Sequence, residues 1–562
     1  MVRLDKGVDK EKVKFNLQKF QTNVNKRLKQ WKEKDFIRRL WAKDPELWFS
    51  SSVPEITDRL GWLRLPEIMG GSVEKFFRFT EGVKDDGITH VVLLGMGGSS
   101  LAPEVFQRTF GNKPGNPELK VLDSTHPDAV RSVEEEIELP KTLFLVSSKS
   151  GTTLETISLF RYFWRKIKHA VNVPGKHFAA ITDPGTNLIQ LARERDFRMV
   201  FESMPDVGGR YSAFTAFGLV PAALIGLDVS QLLKTGRREA EHNAFPVSED
   251  DASSLVFGAA MGELAPHRDK LTFFTSPSLS GFPDWLEQLI AESTGKEGKG
   301  IIPVVNEPSV PVDFYGQDRF FVFIFYEGDK DHKLKNEAKK LEAAGHPMIC
   351  VSLSEKEDLG SEIFRWEIAV ASAGSVLGIH PFNQPDVQLA KHLAREEMAK
   401  GETQNRTDAK TENTIDGRDE KILGGALEIW INEAHNGDYI ALQAYLAPNR
   451  EKTTALQKIR LGLLQGSSLA TTIGYGPRFL HSTGQLHKGG PNKGLFLQLV
   501  DEPKMDLGIP ETGYSFNRLI QAQSWGDFLA LKQRGRRVLR VNFKGNVLDG
   551  LEQLQELVFS RI

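Results

Sequence analysis

One cysteine stands in 562 residues, Cys350 in the apolar run PMICVSL. No intrachain disulfide can form and no cysteine-rich metal site can be built, so a reducing compartment is expected and Cys350 reads as a small buried hydrophobe. Long apolar runs are missing too. No stretch reaches the roughly 20 residues needed to span a bilayer, and the first residues, MVRLDKGVDKEKVKF, lack the apolar segment of a signal peptide. An excess of either charge is absent as well: 72 basic against 74 acidic residues leave a formal charge of −2. That balance gives no reason to expect nucleic acid or an anionic membrane as partner. Together these absences describe a cytoplasmic protein with a small-molecule ligand.

What is present is a normal globular balance, 40% apolar and 26% charged, in a chain long enough for several cores. Apolar residues at helical spacing (Phe15, Leu17, Phe20, Val24, Leu28, Trp31) predict an N-terminal helical segment over residues 1–87. From there short β-rich runs alternate with helical stretches. HVVLLG, LKVLDS, LFLVSS, HFAAITD and FRMVFES are strand candidates of one α/β domain, 88–265, whose last part, 213–265, is mainly helical. LTFFTSP, FFVFIFY and PMICVSL mark a second domain, 266–399. The polar stretch 400–421 reads as a linker or loop. DYIALQAYL, ATTIGYG, GLFLQLV and RRVLRVNF then define a third, smaller α/β unit over 422–562. Such alternation implies crossover units and parallel sheets covered on both faces.

Two turns carry the first chemical signal. Residues 91–103, VVLLGMGGSSLAP, run from an apolar strand into glycines and two serines; residues 143–156, LFLVSSKSGTTLET, repeat that grammar. Glycines let backbone amides approach an oxyanion, and a helix starting just beyond aims its positive end at the same point. Neither turn is a full dinucleotide fingerprint, which argues against a dehydrogenase, and the hydroxyls of the second suit a sugar phosphate. The donors are Ser148, Lys149, Ser150 and Thr153, with Ser99 and the Gly98 amide beside them.

Four further clusters have a composition that packing alone does not require. Arg210 follows two glycines in VGGRYSAF; Gln288 and Glu292 lie four apart in DWLEQLIAESTGKEGKG; Gln384 and Lys391 lie in HPFNQPDVQLAK; His481, Gln485, His487 and Lys488 lie in FLHSTGQLHKGG. In order and spacing these motifs, with the two turns, resemble the phosphoglucose isomerase family over most of residues 91–391. The C-terminal region is similar to the isomerase half of bacterial fused transaldolase and phosphoglucose isomerase proteins, without a transaldolase part.

The resemblance implies two doubly wound sugar-isomerase (SIS) type domains, here with an added C-terminal unit. It also implies reversible isomerisation of glucose 6-phosphate to fructose 6-phosphate, a step of glycolysis and gluconeogenesis, needing no metal or cofactor. Such a reaction requires a base that shuttles one proton through an enediolate and a cation that holds the developing charge. By resemblance Glu292 is the base, Arg210 the electrostatic stabiliser, Gln288 and Gln384 substrate contacts, and Lys391 one of the two groups that open the sugar ring. The second of these, a histidine, is expected between the glutamate and the lysine, yet residues 313–318 read DFYGQD. His481 is the preferred replacement, then His487, with His380 treated as structural. In the family this histidine comes from a neighbouring subunit. Supplied here from the same chain, it would leave homodimer and monomer equally open. An isomerase also accepting mannose 6-phosphate and a non-catalytic sugar-phosphate-binding regulator are the alternatives.

Overall fold

A computed structural model describes residues 12–50, 53–244, 246–248, 251–399 and 412–562. The chain opens with a short strand, β1 (Val13–Asn16), before the helices Gln21–Glu33 and Phe36–Trp41. The helical periodicity read from Phe15 therefore starts later than expected. Leu17, Phe20, Val24, Leu28 and Trp31 form the buried stripe, while Val13 and Phe15 lie in a strand whose partner, Met348–Leu353, is more than 300 residues away.

Three five-stranded sheets follow. The first contains β2 (His90–Gly95), β3 (Glu118–Leu122), β4 (Thr142–Ser147), β5 (Phe178–Thr182) and β6 (Met199–Glu202) in the order β3-β2-β4-β5-β6, all parallel. The second contains β7 (Lys270–Thr275), β8 (Ile302–Val304), β9 (Arg319–Tyr326) and β10 (Met348–Leu353), with β1 added antiparallel at the edge: β1-β10-β9-β7-β8. The third contains β11 (Ile415–Asp416), β12 (Tyr439–Tyr445), β13 (Ala470–Tyr475), β14 (Gly494–Asp501) and β15 (Arg537–Phe543), ordered β11-β15-β14-β12-β13 and parallel throughout.

Beneath these labels lies one winding rule. Each sheet has four parallel strands in which the first and third in sequence sit centrally, the second flanks the first, and the fourth flanks the third. Only the fifth strand differs: it follows the set in the first sheet, arrives antiparallel from the N-terminus in the second, and precedes the set in the third. The C-terminal unit is thus no smaller in its sheet than the others. In this order the chain winds in opposite directions from the centre, and the crevice at that switch point is where such sheets bind ligands. In the first sheet it lies between β2 and β4. Gly95 and Ser147 are aligned there in register, so the two turns leave side by side.

The central strands are buried on both faces, as near-continuous apolar runs such as HVVLLG and TLFLVS demand. Two borders differ from the sequence reading. The helices Val229–His242 and Ser253–Leu264 pack on Leu359–Leu377, which belongs to the second sheet's layer, so the helical stretch 213–265 joins two sheets rather than closing the first. Within the expected linker, residues 400–411 lie outside the described residues, but Ile415–Asp416 pairs with β15 and the helix Glu420–Ile431 begins before the proposed boundary.

The third unit packs firmly on both others. Phe516 and Leu519 enter the apolar layer under the first sheet, and Glu307 of the second unit bonds the Thr471 amide at 2.7 Å while pairing with Arg319 at 2.8 Å, fully buried. Among the described residues no helix is long and apolar enough to cross a membrane.

Candidate active site

The glycine-rich turn after β2 is wedged between two other segments. Gly97 has φ +55°, and a Cβ there would come within 2.6 Å of the His481 carbonyl oxygen; a Cβ on Gly98 would lie 2.0 Å from the Gly209 carbonyl oxygen. Backbone from the first sheet, the Arg210 turn and the His481 turn therefore meet at van der Waals distance, which only glycine permits. At Gly208 and Gly209 an added Cβ would clash with no protein atom. It is the Gly209 carbonyl, not its missing side chain, that makes the approach.

The second turn has its hydroxyls internally linked: Ser148 Oγ and Thr153 Oγ1 lie 2.9 Å apart, Ser150 Oγ and Thr152 Oγ1 3.1 Å, at the N-terminus of helix Leu154–Ala170. Ser147 Oγ donates to the Ser99 carbonyl at 3.1 Å and ties this turn to the first. Lys149 is turned elsewhere. Its ammonium pairs with Asp183 and faces the carbonyls of Met204 and Pro205, so it is not gathered with the hydroxyls. Burial raises the Asp183 carboxyl and the Lys149 partner opposes it.

Helix Phe282–Thr294 carries Gln288 and Glu292 on one face, four residues apart. Glu292 Oε1 lies 3.2 Å from Arg210 Nη1, and Oε2 accepts from Gln288 Nε2 at 3.0 Å. Arg210, 2% exposed, spends its other donors on Ser293 Oγ (2.8 Å), Gln384 Oε1 (3.0 Å) and the carbonyls of Pro381 (2.8 Å) and Asn383 (3.0 Å). The guanidinium thus fixes both the carboxylate and the segment bearing Gln384, besides supplying charge.

The same Gln288 amide donates to the His481 carbonyl at 2.9 Å. His481 comes from the turn after β13, in the third unit, and its Nε2 lies 2.9 Å from Glu155 Oε1. Burial alone would raise the Glu155 carboxyl; the charge and hydrogen bond of His481, helped by Lys391, outweigh it and hold the group down at about 2. Glu155 is therefore an anion that fixes the imidazole with Nε2–H toward it, leaving Nδ1 without a partner among the described residues. Sequence reasoning missed Glu155. The available signal was a glutamate on the inward, mainly apolar face of an amphipathic helix, two residues past Thr153.

The other two histidines are occupied. His380 donates from Nε2 to the Pro54 carbonyl (2.8 Å) and accepts at Nδ1 from the Phe382 and Asn383 amides; burial lowers it to about 4. His487 sits between the Phe479 and Phe496 rings, accepts from Gln443 at 3.2 Å, and is driven down by burial and by Lys488.

A cavity of about 310 Å³ opens where these parts meet, lined among others by Ser150, Thr153, Glu155, Lys391, His481 and Gln523. Lys391 projects from helix Val387–Ala399, exposed and without an ion pair among the described residues. Glu292, Arg210, Gln288 and Gln384 do not line this cavity; they stand behind it, joined through the Gln288 amide. Among the described residues no group of His, Cys, Asp or Glu gathers to ligate a metal ion.

Comparison with known proteins adds an independent line. The family model of phosphoglucose isomerase matches residues 77–320. A glucose-6-phosphate isomerase of Rubrobacter xylanophilus is 27% identical over 394 residues, covering 61% of this chain and 90% of that protein. One of Staphylococcus saprophyticus is 29% identical over 383 residues, with coverage of 60% and 86%. Among solved structures, a hypothetical protein of Thermus thermophilus superposes with a TM-score of 0.59 at 25% identity, over 69% of this chain and 100% of that one. A glucose-6-phosphate isomerase of Chlamydia trachomatis, 20% identical, shares the fold with a TM-score of 0.52 over 65% of this chain and 77% of its own.

Proposed function

Because the chain belongs to the phosphoglucose isomerase family, we propose that it interconverts D-glucose 6-phosphate and D-fructose 6-phosphate. One observation carries this reading: a single amide, Gln288, ties the Glu292 carboxylate to the segment that carries an anion-paired imidazole, His481. A deprotonating carboxylate just behind a cavity and a proton-relaying imidazole lining it are the two groups that the reaction needs in sequence.

The phosphate is received by the hydroxyls of Ser148, Ser150 and Thr153 and by the turn at Gly98 and Ser99, where backbone amides and a helix start favour an anion. Lys149 contributes through its backbone position and its pair with Asp183, not as a free cation. His481 and Lys391 relay protons to and from the ring oxygen and the C1 hydroxyl, opening the ring. Glu292 then removes the C2 proton. The electron pair of that C–H bond forms the C1–C2 double bond while the C1 carbonyl oxygen takes up negative charge, held by the field of Arg210. Transfer of the C2 hydroxyl proton to the C1 oxygen, return of the abstracted proton to C1 and collapse of the C2 oxygen to a carbonyl complete the ketose. Binding energy from the distant phosphate orients C1 and C2 against the carboxylate.

All these groups come from one chain, so we read a monomer as sufficient for activity, working in the cytoplasm that the lone cysteine suggests. Glu292→Gln tests the central role. It should lower turnover by at least about 100-fold, the smaller end of general-base effects, while affinity for a phosphorylated sugar alcohol stays within about two-fold. Retained turnover would remove Glu292 from this role.

A further inference from the structure

Gln523 lies in the third unit, on helix Phe516–Gln533, with no part in the steps above. Its Nε2 donates to Glu155 Oε1 at 2.6 Å, the same oxygen that His481 Nε2 meets, and its Oε1 accepts from Thr125 Oγ1 at 2.9 Å. The ionised Glu155 carboxylate, which can only accept, settles which way the amide faces, and the Thr125 hydroxyl then donates to its carbonyl end. All of these groups are buried apart from the edge of His481 that faces the cavity. Leu519 and Gln523 line the cavity one helical turn apart, and Asp527, a further turn on, pairs with Lys488.

We propose that Gln523 is a positioning residue for ring opening, holding the Glu155 carboxylate against His481 from the far side, and that Thr125 orients it. The inference rests on the isomerase reading and extends it. The terminal torsion of a glutamate carboxylate is broad, so the imidazole alone would leave Glu155 free to swing out of line. The second donor on the same oxygen removes that freedom and compensates a charge that burial disfavours. The relay runs from a hydroxyl of the first unit, through an amide of the third, to a carboxylate of the first and back to a histidine of the third. Each unit thus fixes a group of the other.

Ring opening can be read apart from isomerisation. In a Glu292→Gln background the C2 proton stays, yet His481 and Lys391 still open the ring, so exchange between the α and β anomers of glucose 6-phosphate continues and is followed by NMR. Adding Gln523→Leu should slow that exchange about ten-fold, part of the roughly 10²–10⁴-fold that a positioned acid–base group contributes. Gln523→Glu, which sets a second carboxylate against Glu155, should slow it further, and Thr125→Val about two- to three-fold. In the otherwise native enzyme Gln523→Leu should also move the acid limb of kcat/KM to higher pH, which loss of packing alone would not do. The charged groups around Glu155 are His481 and Lys391, with Arg395 and Lys488 lining the same cavity. Unchanged anomer exchange in the Gln523→Leu and Thr125→Val proteins would overturn the proposal. Should Gln523→Leu also lose affinity for a phosphorylated sugar alcohol, Thr125→Val decides alone. If the unaltered chain neither isomerises nor exchanges anomers, the isomerase reading itself has failed, a distinct result.

Discussion

Gly98→Ala puts one methyl group where the structure has none to spare. The new Cβ would lie 2.0 Å from the Gly209 carbonyl oxygen and 2.3 Å from its carbon, whereas real Cβ atoms essentially never come within 3.0 Å of a neighbour. Relief requires about 1 Å of movement, and a shift of that size at a reacting centre can cost about 100-fold. Both partners are backbone, so no side chain can rotate aside. Retreat is blocked as well, because the neighbouring Gly97 already touches the His481 carbonyl. The strain therefore passes into the Arg210 turn or the His481 turn, and either displaces a group of the site. Overpacking of this kind costs about 1–3 kcal/mol of stability. We expect kcat/KM for fructose 6-phosphate to fall about 100-fold, equivalent to about 2.7 kcal/mol, with a lower melting temperature. Gly208→Ala is the internal control: its Cβ would meet only Tyr211 Cδ2, at 3.8 Å, and both measures should stay close to the parent. Steady-state kinetics and calorimetry on the two proteins decide. Full activity in Gly98→Ala, or an equal loss in Gly208→Ala, would refute the idea that close contact among these turns assembles the site.

Two further expectations follow from the same geometry. Folding depresses the Glu155 carboxyl from 4.5 to about 2, so its contribution to stability is complete above about pH 4.5 and is lost as pH falls toward 2. The difference amounts to something on the order of 3 kcal/mol. Melting temperatures of the parent and of Glu155→Gln should accordingly draw together as pH falls from about 4.5 toward about 2, and a gap that stays constant would show that the pair contributes nothing. Second, since His481 reaches Glu155 within one chain, specific activity should not change on dilution through the range where sedimentation finds only monomer; activity that vanishes with dissociation would place part of the site on a second copy.

Much of the architecture could be read from local pattern. Runs such as HVVLLG and FFVFIFY are apolar on both faces and short, which suits buried parallel strands and little else. What escaped was non-local. β1, β8 and β11 have two to four residues each and are strands only because an edge elsewhere offers them partners. The common strand order of the three sheets likewise has no signature at any one position. In the site, Gln288 and Glu292 are legible through the family resemblance of their motif, and the two turns through glycines and hydroxyls. Glu155 and Gln523 are not. Their roles arise from meeting across units, at sequence separations of 326 residues for Glu155 with His481 and 368 for Glu155 with Gln523. Lys149 differs: its neighbours in sequence suggest a phosphate donor, whereas in the structure Asp183, just past β5 at the end of HFAAITD, pairs with the ammonium.

The interleaving of first and third sheets bears on how the working protein comes into being. On the proposed reading, translation delivers the phosphate-binding turns first, Glu292 later, and His481 with Gln523 only with the third unit. A nascent or prematurely terminated product could hold a phosphorylated sugar and still leave its ring shut. On the proposed reading, ring opening therefore depends on the third unit having docked on the first, so that activity reports the docking.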